Sequence, residues 1–268
     1  MEVFQEWAED QGGIDGTARD IMRFKQELKK DFAPQTVNLR LSAVRSFYRF
    51  LVVTDRVGYS PAEAVRGVKR SKSTKHKRDA LTSGEGRAVL RTCEDTPRGI
   101  RDRAILMLMA FCGLRAVEAN RADLEDLRTK EDRLVLYVQG KGSIEKDDFV
   151  VIPRSKEGDI MAWVSYHKKH FEGCPLFVSL SNRSRGSKLA LRSIRNMVKK
   201  RFERAGVVGE RKTTHSLRHS AITSVLKNGG TPLQAQSMAR HTSFDTTLNY
   251  VHEVGRLGNP GEDLINYD

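Results

Sequence analysis

Apolar residues recur along this chain with a helical period first and a mixture of helical and strand periods later. Val37, Leu41, Val44, Tyr48 and Leu51 follow one another at spacings of four, three, four and three, which lines one face of an α-helix. Pro34 and Thr36 supply a start for it. Val3, Phe4 and Trp7 suit a short first helix, and Ile21, Met22 and Leu28 another. Arg40 and Arg49 fall on the face opposite the apolar stripe, with Arg45 at its margin. Residues 1–66 therefore predict an all-helical domain with a basic outer face.

The pattern stops in residues 66–78, which carry seven Lys/Arg, no acid and one large apolar residue. Such a segment cannot bury a core, so residues 67–79 read as an exposed linker between two domains. Its position between two patterned regions favours a strap along phosphates, carried by Lys69, Lys72, Lys75 and Lys77, over a solvated tether. Beyond it, Ala80-Leu81-Thr82 followed by Glu85 resembles a capped helix start. Residues 101–112 form a strongly apolar helix (Ala104, Ile105, Leu108, Met109) ending at Gly113. Two short runs rich in Val, Leu, Ile and aromatics, 134–138 and 149–152, predict a β-hairpin, with Gly140-Lys141-Gly142 where the first strand ends. Residues 158–170, 190–204, 216–228 and 232–239 read as helices; Thr231 caps the last, and Gly229-Gly230 punctuates the gap before it. The fold class is mainly α with a small antiparallel β-sheet, the second domain spanning residues 80–268.

With 268 residues there is room for two such domains. Lys and Arg number 47 against 34 Asp and Glu, a net charge of +13, and a basic chain of this size usually meets a polyanion, most often nucleic acid. No stretch approaches the roughly 18 apolar residues of a membrane span, and the N-terminus lacks the form of a signal peptide. Cys93, Cys112 and Cys174 have no paired spacing, so neither a disulfide framework nor a zinc site is expected. The expected setting is reduced, intracellular and cytoplasmic.

Chemistry concentrates in three places. Gly113-Leu114-Arg115-Ala116-Val117-Glu118 closes the apolar helix. His215-Ser216-Leu217-Arg218-His219 places His215 and Arg218 three residues apart, on the same side of a helical turn. Arg240-His241 is followed nine residues after His241 by Tyr250, in Asn-Tyr-Val-His. Arginine forks grip a phosphodiester bidentately, histidines hydrogen-bond its oxygens, and a tyrosine phenol can attack phosphorus. His215 and His219 could instead share a metal ion, but a zinc peptidase needs a glutamate where Ser216 stands. His219 reads as a buried structural residue.

Order and spacing of Arg115, His215, Arg218, His241 and Tyr250 resemble the tyrosine recombinases, the family of phage integrases, Cre and the Xer proteins. The resemblance implies an N-terminal core-binding (SAM-like) helical bundle that clamps one side of a duplex, followed by an α+β catalytic domain. It implies that Arg115, Arg218, His215 and His241 hold the nonbridging phosphate oxygens, that Lys141 is the general acid, and that Tyr250 is the nucleophile of a 3′-phosphotyrosyl intermediate. Glu118 is expected to hold an arginine or histidine in place. Arg40, Arg45 and the linker lysines are the expected DNA contacts. No cofactor and no metal is implied. The partners implied are double-stranded recombination sites and a homotetramer on two duplexes, its subunits joined through a C-terminal tail, residues 251–268. The sequence departs from the family at Ala119, often Leu, and at Arg240, usually Gly. Two alternatives share part of the pattern: a type IB topoisomerase-like enzyme, and a sequence-specific DNA-binding protein that has lost catalysis.

Overall fold

The computed structural model describes residues 2–11, 16–69, 79–140, 144–209 and 211–258, with side chains as far as residue 251. The chain divides into two compact units, Met1–Ser73 and Thr74–Asp268.

The first unit holds α1 (Glu2–Asp10), α2 (Ala18–Asp31) and α3 (Pro34–Val53). Thr17 starts α2 through a capping box with Asp20, and Pro34 occupies the first turn of α3, where its missing N–H costs nothing. Phe4, Ile21, Phe24, Leu28, Val37, Leu41, Val44 and Tyr48 form the core. The expected α2 stripe needs one correction. Met22 is 46 % exposed, whereas Phe24 is buried, because positions 21, 24 and 28 share a helical face and 22 does not. After α3 the chain returns to that helix: Asn38 and Val68 exchange two hydrogen bonds, 2.8 and 3.0 Å long.

The second unit is built around α5 (Pro97–Phe111), in which every residue from Ala104 to Met109 is at most 1 % exposed. Each large aliphatic there contributes roughly 1.5–3 kcal/mol by leaving water. Around it lie α4 (Ser83–Arg91), α6 (Ala116–Arg121), α7 (Glu157–His170), α8 (Leu191–Arg204), α9 (Thr214–Lys227), α10 (Pro232–Ala239) and α11 (Phe244–Gly258), with α7 and α9 packed directly on α5. Thr82 and Glu85 make the expected capping box of α4, and Thr231 caps α10. Buried Asp102 binds Arg101 at 2.8 Å and Arg201 at 2.7 Å, pinning α5 to α8.

The sheet has three antiparallel strands, β1 (Leu127–Lys130), β2 (Arg133–Val138) and β3 (Asp148–Val151), in the order β1-β2-β3. Leu136 faces Leu127 on one side and Val150 on the other. The predicted hairpin is β2–β3, and β1 is an addition to it. Leu-Arg-Thr-Lys is an exposed edge strand without an apolar alternation. Its turn uses Glu131 and Asp132 at φ 46° and 59°, the left-handed pair a two-residue hairpin demands, but not the Asn-Gly or Asp-Gly that would announce it.

Candidate active site

The end of α5 sets the first part of the site. Gly113 has φ +62°, and a Cβ there would sit 2.8 Å from the Met238 sulfur. Glycine suits both the left-handed turn and that close approach. The turn delivers Arg115 to the start of α6, where Glu118 caps it: Oε2 accepts the Arg115 backbone N–H at 2.7 Å, and Oε1 accepts its Nη1 at 2.6 Å. Oε2 also accepts Nη2 of Arg240 at 2.7 Å. Burial acts to raise the Glu118 carboxyl, but the Arg240 charge, the Arg115 N–H and the Arg115 guanidinium outweigh it and hold it below its ordinary range.

Arg218 rises from α9 beneath these groups and is 3 % exposed. Nη1 donates to the Gly113 carbonyl and Nη2 to the Ala239 carbonyl, so one guanidinium joins α9, the α5–α6 turn and the end of α10. Burial, then the charges of Arg115 and Arg240, push it down to about 9, with Glu118 and Tyr250 acting in the opposite direction. It stays a cation at neutral pH.

His241 follows directly. Its Nδ1 lies 2.9 Å from Thr247 Oγ1, and its ring stacks on Tyr250 with centroids 6.0 Å apart. Tyr250 is 7 % exposed among Ile222, Ala235 and Ala239. His219, buried as expected, meets the Tyr250 ring edge-on at 4.8 Å and pairs through Nδ1 with Thr223 at 3.1 Å. Arg115, Glu118, Arg218, His241 and Tyr250 thus gather at one corner of the second unit. His215 stands exposed in the first turn of α9, one turn before Arg218. Two further participants carry no clear signal in the sequence. Thr247 gives only a polar position before the tyrosine, and Arg240 resembles an ordinary helix-end cation until its side chain is seen turned inward.

Lys141, with Lys72, Lys75 and Lys77, lies outside the described residues. Lys146, the other lysine of the hairpin connection, donates to Asp123 at 2.7 Å and to Asp126. Burial would lower its ammonium, but the two carboxylate bonds win and raise it. In the first unit Lys69 is exposed, Arg45 is half-buried and donates to the Val65 carbonyl at 2.5 Å, and Arg40 lies 3.8 Å over the Phe32 ring. Among the described residues no three His, Cys, Asp or Glu side chains gather where a metal ion could be held, and no helix is long and apolar enough to cross a membrane. The three cysteines are free thiols.

Comparison with known proteins gives a consistent result. Residues 79–255 match the phage integrase family and residues 1–54 the phage integrase N-terminal SAM-like domain. A tyrosine recombinase of Synechococcus elongatus is 30% identical over 234 residues, covering 86% of this chain and 71% of the relative. Tyrosine recombinase XerA of Thermococcus onnurineus is 31% identical over 242 residues, covering 90% and 79%. Among solved structures, the XerH site-specific recombinase bound to a palindromic difH substrate in a post-cleavage complex aligns with a TM-score of 0.77 at 18% identity, over 98% of this chain and 76% of that one. A lambda integrase dimer on a core site aligns at 0.63 and 18% identity, over 87% and 81%.

Proposed function

This chain belongs to the phage integrase family, the tyrosine recombinases, and we propose that it is a site-specific DNA recombinase whose nucleophile is Tyr250. The substrate is duplex DNA, in keeping with a net charge of +13. Attack on a phosphodiester gathers negative charge on a pentacoordinate phosphorus, and preorganised cations aimed there lower the barrier. Arg115, Arg218, His215 and His241 hold the nonbridging oxygens. The Tyr250 oxygen attacks phosphorus, the bond from phosphorus to the 5′ oxygen breaks, and Lys141 protonates that oxygen. His215 is the candidate acceptor of the tyrosine proton. A 5′-hydroxyl from another strand then displaces the tyrosine, so the bond energy is conserved.

The reading rests on the junction where Arg218 grips the carbonyls of Gly113 and Ala239. That junction puts the arginine-bearing turn and the histidine–tyrosine segment at one place. Tyr250 packs against its own unit, and we read α11 as shifting to present the phenol on DNA. A tetramer on two duplexes, with residues 251–268 docked on a neighbouring subunit, would supply that shift.

Tyr250→Phe mixed with a suicide duplex tests the assignment. The variant should bind the duplex and form no denaturation-resistant protein–DNA band. Persistence of the band would remove Tyr250 as the nucleophile.

A further inference from the structure

Arg240 joins an unusual backbone to a buried charged side chain. Its backbone is left-handed, φ 53° and ψ 51°, at the C-cap of α10, a conformation that glycine adopts freely and that crowds the Cβ of other residues. Its side chain is nevertheless 4 % exposed and points inward rather than into solvent. Nη2 donates to Glu118 Oε2 at 2.7 Å and Nη1 to the Met238 carbonyl at 3.0 Å. Nε lies 3.9 Å from Asp148 Oδ2 at the start of β3.

Glu118 therefore stands between two guanidiniums, one from Arg240 and one from Arg115. Its side chain is 1 % exposed and that of Arg115 is 23 % exposed, so of this pair Arg115 is the group within reach of a ligand. An isolated carboxylate–arginine pair can pivot about its shared bonds. A second arginine on the same carboxylate removes that freedom, because Oε2 then has to satisfy the Arg115 backbone and Arg240 together.

We propose that Arg240 is a positioning residue for strand cleavage: it locks Glu118, and through Glu118 it holds the Arg115 guanidinium in the orientation that receives the scissile phosphate. This rests on the recombinase reading above. The local strain is retained because the guanidinium is needed at that position, which a glycine would leave empty.

Arg240→Gly, Arg240→Lys and wild type are compared for melting temperature, duplex affinity and single-turnover formation of the covalent adduct. Arg240→Gly should keep its duplex affinity and cleave about 10–100-fold more slowly, as when a supporting hydrogen bond is removed from an active-site group. Free guanidinium ion at sub-denaturing concentration should restore part of that rate, and Arg240→Lys should fall between the two. Combining Arg240→Gly with Glu118→Gln should be no slower than Glu118→Gln alone. Wild-type cleavage by Arg240→Gly, or full additivity in the double variant, would overturn the proposal. If Arg240→Gly does not fold, a wild-type rate in Arg240→Lys overturns it equally. A wild-type adduct that depends on Tyr250 keeps the recombinase reading intact in each of these cases; a wild type that forms no such adduct ends both.

Discussion

Thr247 Oγ1 meets His241 Nδ1 at 2.9 Å, across the turn that joins α10 to α11. Thr247 is wholly buried and lies one helical turn before Tyr250. One hydrogen bond thus couples the histidine proposed to face the phosphate to the helix that carries the tyrosine, and it fixes the orientation of the imidazole ring. Thr247→Val keeps the shape and removes the hydroxyl. It should cost about 1 kcal/mol of stability and lower cleavage about 10–100-fold, while Thr247→Ser stays close to wild type. Single-turnover kinetics decide it; a wild-type rate for the valine variant would show the bond to be incidental.

Glu118 makes stability depend on acid. Its carboxyl titrates below the ordinary value of 4.5 in the folded protein, so the unfolded chain takes up the proton first. The resulting stabilisation is complete above about pH 4.5 and is lost as pH falls through the lower, folded value. Glu118→Gln should be less stable at neutral pH by about 3–5 kcal/mol, since it strands the buried Arg240 guanidinium, and its stability should decline less steeply in acid. Denaturant titrations from about pH 7 to about pH 3 measure both slopes. Parallel slopes would place the acid sensitivity in other carboxylates.

The linker should contribute affinity without sequence information, because bonds to phosphate carry none directly. Replacing Lys69, Lys72, Lys75 and Lys77 by Ser should weaken binding to every duplex. For each phosphate no longer neutralised, the log–log salt dependence should flatten by about 0.9. An unchanged slope would make the run a solvated tether.

Truncation after Gly258 preserves all of α11 and removes Leu264 and Ile265 with the rest of the tail. Binding to a single site should survive, while the two-duplex complex and recombination disappear. Sizing the protein–DNA complex in solution reads this out. A truncated protein that still pairs two duplexes and recombines normally would exclude residues 259–268 as the assembly element.

Local periodicity makes most of the fold legible. The α3 stripe of Val37, Leu41, Val44 and Tyr48 is the buried face, and the Thr82 and Thr231 caps start α4 and α10, because helix faces and caps depend on residues three or four apart. β1 is hidden because an exposed edge strand needs no apolar alternation, and its left-handed turn is built from residues that tolerate the conformation without advertising it.

The order of Arg115, Glu118, Arg218, His241 and Tyr250 can also be read along the chain, and with it the chemistry those side chains suit. Their convergence cannot, since the Arg218 bonds to Gly113 and Ala239 close loops of 105 and 21 residues. Arg240 shows the difference most directly. As a sequence position it is a cation where a helix ends, free to face water or phosphate. Only packing turns it inward, because Glu118, buried 122 residues earlier in the chain, is a charge that the interior cannot hold without partners.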